Sequence, residues 1–204
     1  MDHEQAERPR EARAQERRRR LLDSARKLFV EQGFHQTGMA QIAAVSGVKT
    51  QQIYRDFAGK AQIIASICEI DAVEWLAEDV LQAALDAGDK AAVRDWILNV
   101  VRIDDDLEQN RMIAEIVAEG SRNPEVGEIN KRLEDKILSR MEAAIEALAP
   151  GPSKTARRRA AAGMFLTLSM GMMMRAALNM SLDPAQMTRD VHALVDRELN
   201  QLTS

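Results

Sequence analysis

Lys49, Thr50, Gln51, Gln52, Tyr54 and Arg55 lie in one short run, VKTQQIYRDF, interrupted only by Ile53. That mixture suits the edges of stacked base pairs. A glutamine amide can pair bidentately with adenine, a lysine reaches guanine, and a threonine methyl meets the thymine methyl. Tyr54, Arg55 and Lys60 supply a hydroxyl and two cations for phosphate oxygens, which fix register without reading sequence. Thr37 is placed to cap a preceding helix whose first amides would also face a phosphate.

Other chemistry is poorly served. His3, His35 and His192 are far apart in sequence, and Cys68 is the only cysteine. There is no HExxH, paired CxxC, GxSxG or glycine-rich phosphate loop. The expectation is a chain that is not an enzyme, with no cofactor and no metal. Asp104, Asp105 and Asp106 with Glu108 form an acidic run, read as a solvated loop between helices rather than a cation site. One cysteine excludes an internal disulfide and fits a reducing compartment. The N-terminus lacks an apolar signal core. The most apolar run, Ala160 to Met174, is framed by arginines and falls short of the roughly 20 residues of a membrane span. A cytoplasmic protein without a membrane partner is expected.

The reading residues need a rigid support. Hydrophobic residues make up 46% of the 204-residue chain and aromatics 3%, with Ala, Leu, Glu, Arg and Met abundant. This favours an all-α fold. Leu21, Leu22, Ala25, Leu28 and Phe29 recur at helical spacing up to Gly33. A second helix is expected over Gly38–Val45, with Met39, Ile42, Ala43 and Val45 inward. Gly47 closes it, Val48 plugs the corner, and a third helix runs from Thr50 to Asp56, held by Ile53 and Phe57. Three short helices with a tight Gly-Val corner make a helix-turn-helix, which aims its last helix at the major groove. Charge agrees with this: Arg8 to Lys60 carries 12 Lys and Arg against 5 Asp and Glu, whereas Ala61 to Ser204 carries 16 against 24. A basic end on an acidic body suits a polyanion-binding head.

Residues 17–64 resemble the DNA-binding domain of the TetR/AcrR family of bacterial transcription regulators. The resemblance rests on Leu28-Phe29, Gly33-Phe34, Thr37, Ile42-Ala43, Ser46-Gly47-Val48, Ile53-Tyr54, Phe57, Lys60 and Ile63-Ile64 at the family's spacing. It covers about a quarter of the chain. Two positions depart from it: Lys49 stands where the family often has a capping Ser, and Asp56 where it often has His. Asp56 would repel phosphate, so an ion pair with an arginine is expected there.

The domain plan is then a flexible charged arm at 1–16, a helix-turn-helix domain at 17–59 and a helical effector-binding and dimerisation domain at 60–204. Within the last, helices are expected over 60–87, 91–107, 111–119, 125–148, 154–179 and 184–202. The 154–179 helix is apolar nearly all round, which predicts burial on both sides. Gly163, Thr167 and Gly171 form a small-residue stripe on it. The resemblance implies that this helix and the last one, with Val191, Leu194, Val195 and Leu202, pair with their mates in a homodimer. Trp75, Trp96, Met112, Glu115, Phe165, Met170, Met173 and Met174 are candidate linings for an effector cavity, the methionines because they adapt their shape. Plain core filling is the competing reading of each. The function implied is a DNA-binding repressor released from double-stranded operator DNA by an apolar small-molecule effector. The alternatives are an effector-independent activator or architectural protein, or an all-helical enzyme.

Overall fold

The computed structural model of the chain describes residues 2–103, 106–179 and 183–203, with side chains from residue 12 onward. Ten α-helices account for nearly all of them: α1 (Asp2–Gln32), α2 (Met39–Ser46), α3 (Thr50–Asp56), α4 (Lys60–Leu76), α5 (Glu78–Ala87), α6 (Lys90–Val100), α7 (Leu107–Gly120), α8 (Pro124–Leu148), α9 (Thr155–Ala177) and α10 (Pro184–Thr203). A single 3₁₀ turn, Pro152–Lys154, leads into α9. Among the described residues there is no strand.

Two hydrophobic cores organise the helices. One gathers Leu21, Phe29, Phe34, Ile42, Ile53, Phe57 and Ile64 from α1 to α4 and extends to Met112, Ile116, Val126 and Ile129 of α7 and α8. The other joins Leu76, Leu81, Trp96, Ile97, Met141, Phe165, Val195 and Leu199 from α4 to α10. The head is therefore not a bead on a string. Its core continues into α7 and α8.

Several boundaries differ from the sequence expectation, each for a local reason. Residues 2–16, expected as an arm, continue α1 as helix. That stretch is rich in Ala, Glu, Gln and Arg, all strong helix formers. The helix expected over 60–87 breaks at Ala77, whose φ of 40° and ψ of 56° are left-handed. Beside the break, the Trp96 indole N–H donates to the Leu76 carbonyl at 2.5 Å, satisfying a group that the interrupted helix would otherwise leave bare. The helix expected to run to residue 107 ends at Val100, and a new one starts at Leu107 because Asp106 caps it, accepting from the Glu108 and Gln109 amides at 2.9 and 3.1 Å. Asp106 thus spends its carboxylate on a helix end; Asp104 and Asp105 lie outside the described residues. Asp183 caps α10 in the same way, accepting from Ala185 and Gln186 at 3.0 and 3.1 Å.

The α7–α8 hairpin is unusually close. A Cβ on Gly120 would lie 2.2 Å from Asn130 Nδ2, and one on Gly127 would lie 3.0 Å from the Gly120 carbonyl. Asn130 uses that proximity to donate to the Ile116 carbonyl at 3.2 Å.

The stretch Pro152–Ala177 is long and apolar enough to cross a membrane, with a mean hydropathy of 1.2 over its best window. Here it serves as a core helix packed on α7, α8 and α10. The expected burial on both sides is only half met. Ala161, Ala162, Phe165, Leu166, Met172 and Met173 are buried, while Met164, Thr167 and Gly171 are exposed. Arg158, near its start, is buried too, and donates to the Ala149 and Gly151 carbonyls, at 3.1 and 2.7 Å, that close the α8–α9 connection.

Candidate nucleic-acid interface

The corner between α2 and α3 is built from backbone requirements outward. Gly47 takes φ 69°, a left-handed conformation that costs a side-chain-bearing residue free energy. Ser46 Oγ accepts the Val48 N–H at 3.3 Å, and Val48 is buried as the plug of the corner. Ile53 is fully buried and Phe57 nearly so, pinning α3 to α1 and α4. Burying side chains of this size contributes about 1.5–3 kcal/mol each, enough to hold a helix of seven residues that would not persist alone.

With Ile53 turned inward, the rest of α3 faces out. Lys49, Thr50, Gln51, Tyr54 and Arg55 are exposed, Tyr54 at 55%. Lys49 occupies the cap position without a side-chain cap bond, so its ammonium is not consumed there. Gln52 is half-buried. Its amide oxygen meets all three guanidinium nitrogens of Arg17 at 2.6 to 3.1 Å. Asp56 pairs with Arg17 at 3.9 Å and with Arg55 at 3.5 Å, the arginine partnership expected of it. Arg18 reinforces the same junction, lying 4.7 Å over the Phe57 ring and donating to Ser66 Oγ at 2.8 Å.

Three expectations near this surface are corrected. Thr37 is buried at 1%, and its hydroxyl donates to the Gly33 and Leu28 carbonyls at 2.9 and 3.2 Å, so it neither caps α2 nor faces a phosphate. Gly38 holds the cap position instead. Lys60 turns inward, donating to the Phe34 carbonyl at 2.5 Å with its ammonium 4.3 Å from the Phe34 ring. Burial draws its pKa below the usual lysine value, against the opposing pull of Glu119. Val45, expected inward, is 54% exposed on the outer face of α2.

Sequence reasoning missed how the head is gripped. From α7, Glu115 accepts the Phe34 N–H at 2.6 Å, and the fully buried Glu119 meets His35 Nε2 at 2.9 Å. Arg26 of α1 binds the Asp71 carboxylate of α4 and Gln109 of α7. Burial works against the charge on Arg26, but the Asp71 contact outweighs it, and its pKa is raised. Glu115 and Glu119 stand one helical turn apart; that spacing was visible, but their partners on the α1–α2 loop were not.

The proposed effector lining is divided. Trp96 and Phe165 are buried in the body core with Trp75 against it, while Met112 belongs to the head core and Glu115 to the grip on Phe34. Met173 is buried; Met170 and Met174 are half-buried. A cleft of about 280 Å³ lies elsewhere, between α5 and α8, lined by Glu78, Asp79, Leu81, Gln82, Leu85, Arg140 and Ala143. Of the dimer candidates, Val191, Val195 and Leu202 are buried within the chain itself, so they are core residues. Thr167, Gly171 and Leu194 are exposed and Gly163 half-exposed, and a Cβ on either glycine would meet nothing within 4 Å.

Residues 21–67 match the family described as bacterial regulatory proteins, tetR family, and residues 90–200 match the C-terminal domain of BetI-type transcriptional repressors. The chain is 30% identical over 105 residues to the HTH-type transcriptional regulator AcrR of Shigella flexneri, covering 51% of this chain and 49% of that one. It is 29% identical over 133 residues to UidR of Escherichia coli K12, covering 64% and 62%. The chain thus spans about half to three-fifths of the length of these curated relatives. Among solved structures, Salmonella enterica GusR aligns with a TM-score of 0.64 at 24% identity, covering 90% of this chain and 95% of that one. A TetR-family regulator from Streptomyces coelicolor aligns with a TM-score of 0.64 at 20% identity, covering 93% and 97%.

Proposed function

The chain belongs to the tetR family of bacterial regulatory proteins, and from that premise we propose that it is a DNA-binding transcriptional repressor, acting as a homodimer and released from its operator by a small molecule. The observation that carries the reading is the outer face of α3. Lys49, Thr50, Gln51, Tyr54 and Arg55 are exposed on a helix locked from behind by Ile53 and Phe57. Such a face presents base-edge donors and acceptors without paying to order them at binding.

One short helix reads only a few base pairs, so a second copy is required to span half-sites about 34–36 Å apart. The open stripe of Gly163, Thr167 and Gly171, with exposed Leu194 on α10, supports a close helix-to-helix approach between copies. Effector release follows as a population shift, in which the ligand favours a dimer whose recognition helices no longer match successive grooves. The head is joined to the body through α4 and through the α7 grip on Phe34, His35 and Arg26, so a tilt of either helix moves α3. The α5–α8 cleft is close to the lower size limit of small-molecule sites, roughly 300 Å³.

The test is selection of duplex fragments by the purified protein, followed by affinity measurements on the selected site. Tyr54→Ala should weaken binding about tenfold, nearly equally across sequences, as loss of a phosphate contact does. Unchanged affinity for the selected site would count against the α3 interface, and failure to enrich any duplex at low salt would overturn the reading.

A further inference from the structure

The contact between Arg17 and Gln52 has a consequence for what α3 can read. A guanidinium has only donors, so the Gln52 group facing it must be the amide oxygen. That oxygen lies 2.6 to 3.1 Å from Nε and both terminal nitrogens of Arg17. Arg17 is itself held, with its side chain 28% exposed and Asp56 at 3.9 Å on its other flank. The guanidinium is therefore enclosed between α1 and α3, and Gln52 is left with its amide nitrogen as the end that Arg17 does not hold.

We infer that Arg17 is a specificity-determining positioning residue: by occupying the Gln52 amide oxygen it converts Gln52 from a donor-acceptor reader of adenine into a donor-only reader of a base acceptor. This rests on α3 entering the major groove as proposed above. A glutamine pairs with adenine by accepting from N6 and donating to N7. With the oxygen already occupied, the first of those bonds is lost. The remaining N–H donors suit guanine N7 and O6 or thymine O4, which offer acceptors only. Arg17 contributes this selectivity without touching DNA.

The experiment measures the relative affinity for all four base pairs at each position of the selected operator, for wild type and for Arg17→Met, which keeps the apolar stem and removes the guanidinium. One position per half-site should shift toward adenine by about fivefold, the value of one neutral hydrogen bond. Arg17→Lys, which retains a donor, should keep the wild-type preference. In a Gln52→Ala background, Arg17→Met should produce no further shift. The dependence of affinity on salt should be unchanged, because no phosphate contact is lost. An absent shift, a shift that persists without Gln52, or a salt slope lower by about 0.9 would each overturn the inference, the last by making Arg17 a phosphate ligand. A DNA-free measurement separates this outcome from failure of the regulatory reading. The Gln52 side-chain amide resonances should move in folded Arg17→Met, and their constancy would show that the contact does not exist, whatever the protein binds.

Discussion

Helices α3 and α9 face opposite requirements. The first has seven residues, with Ile53 its one buried side chain, and exposes its polar chemistry. The second has 23 residues and buries a long apolar face, leaving outward mainly small or adaptable side chains. A reading helix gains by presenting many groups on a minimal anchor, so its rigidity must come from neighbours: Arg17 and Arg18 of α1, Val48 of the corner, and Phe57 behind it. A core helix supplies its own rigidity through packing. The difference implies that damage to α3's supports appears as lost recognition, whereas damage to α9 appears as lost stability.

Paired core truncations test this most severely. Phe165→Ala, at a fully buried position in α9, should cost about 3–5 kcal/mol in urea unfolding, while the protein that remains folded keeps its duplex affinity. Ile53→Ala should cost about 2–5 kcal/mol and remove duplex binding even where circular dichroism shows the body still helical. Equal effects of the two variants on binding per folded molecule would break the comparison.

A smaller effect sits where the two regions meet. Glu115→Ala removes the acceptor of the Phe34 N–H at the base of the head. Loss of a charge-assisted bond of this kind costs about 1–3 kcal/mol. Hydrogen exchange should show faster opening of the α1–α2 loop than of α9. Uniform acceleration across both would mean that head and body open as one unit, and would sharpen the comparison toward a single cooperative molecule.

The head was the more legible region in the sequence, because its constraints are local. The left-handed Gly47, the Val48 plug and the inward Ile53 follow from spacing over a dozen residues. What failed there depended on contacts far along the chain: Lys60 is drawn to the Phe34 carbonyl 26 residues away, and Thr37 to Leu28 and Gly33 behind it. In the body, helix positions were readable from periodicity and breakers, but helix faces were not. Val191, Val195 and Leu202 form the inner stripe of α10, and an amphipathic pattern does not say whether its apolar side meets the same chain or a second copy. The break at Ala77 was equally hidden, since it involves the Trp96 indole 20 residues on.

The smallest effect is expected on the body surface, remote from α3. Glu78 opens α5 and meets Lys136 at 2.6 Å and Arg140 at 3.1 Å, both from α8. The hydrogen bond from Lys136 holds its carboxyl below the usual carboxylate range; partial burial opposes this, and the charges of Lys136 and Arg140 add to it. A carboxylate with a lower pKa in the folded state binds fewer protons there than in the unfolded chain. Its contribution is therefore present in full above the unfolded value, and is lost as pH falls through the folded one. Glu78→Gln should be less stable than wild type at neutral pH by at most about 1 kcal/mol, given the pair's partial exposure. The gap should narrow as urea unfolding is repeated at progressively lower pH below the ordinary glutamate range. Duplex affinity at neutral pH should not change, because no residue of α3 or of its supports in α1 takes part in this ion pair. A gap that stays constant across the acid range would mean that packing against the cleft, not charge, is what Glu78 contributes; a change in duplex affinity would mean that the α5–α8 face reaches the reading helix after all.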